Sequence, residues 1–212
     1  MATVVLDNVL ESAYTCLTDE IATHFPDVSV VNVPRGEAVP SLDDVDAALI
    51  TGSSAGVYEE TEHPWIAEEK AIVRELVDRE IPTLGICFGH QIINDALGGT
   101  VEAQTLTSGL VHASFDDDPL FDCVDPVVPV LHGDYVVERG DDMERIGTAP
   151  HCRNFATRHR SAPVWTVQYH PELTPRIVEE QVEPAFGWDP DGSSYAESNA
   201  ILTIVNFRQL VG

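Results

Sequence analysis

The stretch "IPTLGICFGHQIINDALGG", residues 81–99, constrains the fold of this chain more than any other. Its first half is an apolar run without polar alternation, the pattern of a strand buried on both faces. Its second half repeats apolar residues at helical spacing and stops at the paired glycines Gly98 and Gly99. No loop separates the halves. If the strand ends at Ile86 and the helix begins at Phe88, Cys87 alone makes the turn. A strand covered on both sides needs helices above and below it, which is the parallel α/β arrangement.

The rest of the first hundred residues agrees. "TVVLDNV", "VSVVNV" and "DAALI" read as strands, and "ESAYTCLTDEIATHF" as a helix. "HPWIAEEKAIVRELVDRE" is amphipathic, with Ile66, Ile72, Val73, Leu76 and Val77 on one side. From residue 100 the texture changes: "TVEAQTL", "GLVHASF", "PVVPVLHGDYVVE", "ERIGTA" and "APVWTVQYH" look like strands separated by turns, as in antiparallel hairpins. "TPRIVEEQV" and "YAESNAILTIVNFRQLV" return to helical spacing. The expected fold is therefore α/β, a mostly parallel central sheet flanked by helices, with an antiparallel β-rich extension in the second half. No internal repeat interrupts it, and one domain over residues 1–212 is expected.

Charge narrows the setting rather than the fold. There are 36 acidic residues against 11 basic ones, a formal net charge of -25, and Lys70 is the only lysine. The carboxylates are spread along the chain, so neither an acidic tail nor disorder explains them. They predict a folded protein with a carboxylate-covered surface, suited to a high-salt cytoplasm, and they argue against binding nucleic-acid phosphates. No apolar run approaches the ~20 residues that span a bilayer, and the N-terminus lacks a signal-peptide pattern; a cytoplasmic location without membrane contact is expected. Cys16, Cys87, Cys123 and Cys152 form no CxxC pair, so no disulfide framework is expected. His151, Cys152 and His159 in "HCRNFATRH" lack the second ligand pair of a zinc site, and packing is the simpler role.

Cys87 between Gly85 and Gly89 has a chemical reading. A one-residue turn from strand to helix forces unusual backbone angles and crowds the positions two residues away, which glycines relieve, as in a nucleophile elbow. The helix N-terminus beneath the sulfur favours a thiolate. The Phe88 N–H is placed to hold an oxyanion. A buried structural cysteine at an ordinary junction is the alternative. A thiolate needs a proton partner, and "VWTVQYHPEL" offers His170, its turn fixed by Pro171, with Glu172 able to reach back and orient the ring. In isolation this is also what a surface His-Pro-Glu at a strand end looks like; with the elbow, Cys87, His170 and Glu172 form a candidate catalytic set.

At this point the chain resembles the class I glutamine amidotransferases of the triad type, in their GMP-synthase-like, stand-alone branch. "GICFGHQ" and "VQYHPE" match the two signature motifs; "ALITGSSAG" falls at the oxyanion loop, and "LHGDYV" matches an "HGD" segment. The resemblance implies hydrolysis of a glutamine side-chain amide through a Cys87 thioester, with backbone N–H groups of Ser53 and Phe88 as the oxyanion hole. It implies Gly52, Gln91, Gly133 and Asp134 as substrate contacts, and no metal or organic cofactor. The loop reads "TGSS" where many relatives carry Gly-Gly-Pro. About forty residues follow Glu172, too few for an ATP-dependent synthetase domain, so a separate synthetase subunit is the expected acceptor of ammonia. Stand-alone relatives with a similar loop resemble γ-glutamyl peptide hydrolases, which keeps a γ-glutamyl compound open as the substrate. A non-catalytic binder of the same fold is disfavoured by the intact triad. His90 is expected to be structural, His132 either a site residue or a strand end, and Tyr58 and Trp65 either a pocket cap or packing.

Overall fold

The computed structural model describes residues 2–212. The chain runs through β1 (Thr3–Asp7), α1 (Thr15–Ala22), β2 (Val28–Asn32), β3 (Ala47–Ile50), α2 (Trp65–Asp78), β4 (Thr83–Ile86) and α3 (Phe88–Ala96). The second half adds β5 (Thr100–His112), β6 (Ser114–Phe115), β7 (Val127–Glu138), β8 (Met143–Ala149), β9 (Cys152–His159) and β10 (Val164–Val167). A strap follows, built from α4 (Pro175–Ile177), a π-helical stretch (Val178–Val182) and α5 (Glu183–Phe186), and α6 (Leu202–Val211) comes last. No helix among the described residues is long and apolar enough to cross a membrane.

Eight strands form one sheet in the order β2-β1-β3-β4-β10-β9-β8-β6, and β5 pairs with β7 in a separate two-stranded ribbon. The pairs from β2 to β10 are parallel and those from β10 to β6 antiparallel. Both faces of β1, β3, β4 and β10 are buried, as the unalternated strands require, while the edge strand β2 is partly exposed. Val5, Leu49, Leu84 and Ile86 pack on one side with Phe155, Tyr169 and Phe207. Val4, Leu6 and Ile50 pack on the other with Ile66, Phe88 and Ile92. The insertion of β10 beside β4 matters most for function, because Val167 stands opposite Ile86. The segments leaving β1, β3, β4 and β10 therefore gather at one edge, the carboxyl edge, where open α/β sheets bind ligands.

Two expectations need correcting, and one strand lies outside them. "TVEAQTL" and the first four residues of "GLVHASF" are one strand, β5, while its last two form β6 in the other sheet; β5 is irregular where Ala103 and Thr107 pair with Asp134 and His132, so that three residues face Gly133 alone. "CRNFATRH" is a strand, β9, between β8 and β10; its polar letters hide it because Asn154 is buried and satisfied, donating to Val136 and accepting from Arg139. "YAESNAILTIVNFRQLV" is not a continuous helix. A capping box at Ser194 and Glu197 closes one 3₁₀ turn, Asn199 then bonds Asp125 and Cys123, and helix resumes at Leu202.

Candidate active site

Cys87 is the sole residue between β4 and α3, and it sits at φ 53°, ψ -104°, a conformation that L-residues rarely adopt. Its own N–H holds the turn by donating to Val167 O at 2.9 Å. The flanking glycines have a steric reason. A Cβ at Gly85 would stand 2.5 Å from Gly89 O, and one at Gly89 would stand 2.2 Å from Ile50 O. Helix α3 thus lies hard against the ends of β3 and β4, and Gly89 N–H donates to Thr51 O at 3.1 Å. That contact carries the Gly52–Ser53 loop to the cysteine.

His170 arrives from β10, its N–H donating to Pro129 O on β7. Its Nδ1 lies 2.7 Å from Glu172 Oε1, and its Nε2 lies 3.3 Å from Leu131 O. The same carbonyl receives Cys87 Sγ at 3.8 Å. Histidine and glutamate are both buried. Burial lowers the proton affinity of the imidazole, but the charges of Cys87 and Glu172 on either side outweigh it and hold the group well above its ordinary range. The arrangement suits proton exchange between sulfur and ring, with the carboxylate fixing the ring's orientation.

A cavity of about 300 Å³ opens over Cys87 and His170. Gly52, Ser53, Gln91, Gly133 and Asp134 all line it, so every proposed substrate contact is brought together with the cysteine and histidine. Gly52 has no room for a side chain, because a Cβ there would meet the His170 ring at 3.0 Å. Gln91 is held by Asp134 O at 3.1 Å. Glu172 lies behind the histidine, outside the lining, as a residue that orients another should. Phe88 is buried beneath, and its N–H is the first of α3, where no intrahelical acceptor exists.

The sequence matches the family profile described as Glutamine amidotransferase class-I over residues 5–188. The chain belongs to that family. It is 36% identical over 99 residues to a glutamine-hydrolyzing GMP synthase subunit of Methanothermobacter thermautotrophicus, covering 44% of this chain and 53% of that one. It is 34% identical over 175 residues to the glutamine-hydrolyzing GMP synthase of Bacillus pumilus, covering 77% of this chain and 32% of that one. The chain thus spans about half of the first relative and about a third of the second. Among solved structures, a glutamine amidotransferase from Thermotoga maritima superposes with a TM-score of 0.78 over 98% of this chain and 95% of that one, at 19% identity. That likeness concerns the fold.

Other residues of this family member sort by location. His90 is fully buried against Thr166 at 2.7 Å, with burial pushing it down to about 3. His132 lies in the middle of β7, not at its end, and lines the cavity. Its Nε2 stands 3.0 Å from His151 Nε2, and burial pushes it down to about 3. Tyr58 is exposed and donates to Asp134 at 2.9 Å, at the cavity rim. Trp65 packs on Phe88. Cys152 and His159 sit at opposite ends of β9, and no metal-holding group of three ligands occurs among the described residues. The apolar side of the cavity, with Tyr14, Leu17, Ile177, Val182 and Phe186, carries no sequence signal. It depends on the strap folding back over α1, where Tyr14 and Phe186 meet at 6.1 Å between ring centres.

Proposed function

We propose that this chain hydrolyses a γ-glutamyl amide, with glutamine as the substrate. The Cys87 thiolate attacks the side-chain carbonyl carbon, and the carbonyl oxygen takes the negative charge, held by the N–H groups of Ser53 and Phe88. As the C–N bond breaks, His170 gives its proton to the leaving nitrogen and ammonia departs. Water then loses a proton to His170 and attacks the γ-glutamyl thioester. The C–S bond breaks, glutamate leaves, and sulfur and ring recover their starting states. Glu172 keeps Nδ1 of the ring engaged throughout. Gln91, Gly52, Gly133 and Asp134 would hold the glutamine head group. The observation that carries this proposal is His170 set between Glu172 and the carbonyl it shares with Cys87, on the floor of a cavity of substrate size.

A separate ATP-dependent synthetase is the proposed acceptor of the ammonia. The likeness to a protein named as one subunit of a GMP synthase, and the match to only a third of a longer GMP synthase, support that partner. One feature favours a second substrate class. The apolar wall of Tyr14, Leu17, Ile177, Val182 and Phe186 exceeds what a glutamine carboxamide needs, and suits a γ-glutamyl compound with an apolar amine as leaving group. The deciding experiment measures glutamate release from glutamine and from γ-glutamyl anilide, each with wild type and Cys87→Ala. Turnover of glutamine alone, raised by an added synthetase, supports the first reading. Preference for the anilide supports the second, and turnover by Cys87→Ala refutes both.

A further inference from the structure

Glu69, on α2, has no exposed surface and does not line the cavity. Its Oε1 accepts from Asn8 Nδ2 at 2.9 Å. The two remaining polar atoms of the pair, Glu69 Oε2 and Asn8 Oδ1, are both buried and have no protein partner among the described residues. As a carboxylate beside an amide, the pair cannot repair this, since both orphaned atoms only accept. A proton on Oε2 would supply the missing donor. Neutral Glu69 would then donate to Asn8 Oδ1, pairing acid and amide through a second bond. Burial raises the Glu69 carboxyl to about 8, against a smaller lowering by the Asn8 bond.

The ring is one end of a connected path. Asn8 N–H donates to Thr51 Oγ1 at 2.9 Å, and the Thr51 hydroxyl donates to Gly52 O at 3.3 Å. Gly52 O and Ser53 N–H belong to one planar trans peptide unit, so fixing the carbonyl on one side fixes the N–H on the other. We propose that Glu69 is a positioning residue held in its neutral form, and that Glu69, Asn8 and Thr51 together set the orientation of the Ser53 N–H toward the reacting carbonyl. This rests on the oxyanion role proposed above for Ser53.

The titratable side chains on the surrounding elements are engaged elsewhere. Asp7 accepts from Thr18 and Asn32, Lys70 is bridged to Glu60 and Asp95, His90 faces Thr166, and His63 lies against Trp65. None of them acts on Glu69, whose proton affinity answers only to burial and Asn8.

Glu69→Gln tests the relay, because a carboxamide donates and accepts at the same two atoms and does not titrate. The ratio of kcat on glutamine, Glu69→Gln over wild type, is expected to rise about tenfold between pH 7 and pH 9, following one ionisation near pH 8. Titrations shared by both proteins cancel in that ratio. Glu69→Leu, which satisfies neither Asn8 atom, is expected to be slow at every pH with KM little changed. Infrared spectra of the wild type with labelled glutamate carboxyls read the same proton without activity. A neutral-carboxyl band at pH 7, fading near pH 8 and missing in Glu69→Gln, is expected. A flat ratio, or no such band at pH 7, overturns the proposal. The band without hydrolysis of any γ-glutamyl amide overturns the functional reading instead, and leaves the neutral Glu69–Asn8 pair standing.

Discussion

Nδ1 of His170 stands 2.7 Å from Oε1 of Glu172, and both side chains are buried, the histidine at the cavity floor. The opposite nitrogen faces the Leu131 carbonyl, so each ring nitrogen looks at an atom that only accepts. An imidazolium satisfies both, which agrees with the raised proton affinity; in the proposed mechanism it stores the leaving group's proton beside the sulfur. Glu172→Gln replaces a charged acceptor by a neutral amide and weakens that storage. Its kcat on glutamine is expected to fall about a hundredfold or more with KM little changed, as steady-state kinetics at several pH values will report.

The approach of Gly89 to Ile50 sets a steric limit. Gly89→Ala places a methyl group against backbone that cannot turn aside, and about 3 kcal/mol of destabilisation is expected. For a chain of this size that lowers the melting temperature by roughly 10 °C. Gly192→Ala, with nothing within 4 Å and φ +75°, is expected to cost about 1 kcal/mol through backbone strain alone. Thermal unfolding of the two variants separates close approach from conformational strain.

Three buried groups shape stability against pH. Glu69 keeps its proton to about pH 8 when folded but loses it near 4.5 when unfolded. The folded state binds more protons between those values, so stability falls as pH rises through that window. His90 and His132, pushed down to about 3, stay neutral in the fold while the unfolded chain takes up protons below about 6.5. Stability therefore also falls as pH drops from there toward 3. Denaturant titrations should show Glu69→Gln flattening the alkaline slope between pH 6.5 and 8 while leaving the acid slope below about pH 4.5 in place.

Much of this was legible in the chain, for identifiable reasons. Cys87 between two glycines announces its turn because no other residue pattern fits the sterics, and "YHPE" places histidine and glutamate two residues apart on a fixed turn. The fully buried strands show themselves by unbroken apolar runs. What stayed hidden depends on partners distant in sequence. Strand β9 looks polar until Asn154 meets Arg139 and Val136, and Leu131 contributes through a carbonyl that any residue has. Glu69 looks like one more charge on an acidic helix until Asn8, 61 positions away, is found against it.

The strap gives a separable test of substrate choice. Phe186 stands at the outer end of the apolar wall, partly exposed. Phe186→Ala is expected to raise KM for γ-glutamyl anilide about fivefold to tenfold, the worth of a half-buried ring, and to leave KM for glutamine within about twofold. Equal changes for both substrates would place Phe186 in the packing of the strap rather than in a leaving-group site.

The net charge of -25 makes salt a structural variable. Repulsion among carboxylates opposes compaction and weakens as the screening length falls from about 10 Å at 0.1 M to about 3 Å at 1 M. The melting temperature is expected to climb by several degrees, on the order of 5–10 °C, over that range of KCl. A constant melting temperature would mean that the surface charges are already neutralised by other means.

The most direct measurement uses a glutamine-shaped chloromethyl ketone with mass spectrometry of the digested protein. One equivalent is expected to label Cys87 alone among the four cysteines, to be slowed by glutamine or a γ-glutamyl amide, and to abolish glutamate release in step with labelling. Label on Cys16, Cys123 or Cys152, or hydrolysis that survives complete modification of Cys87, would contradict the account.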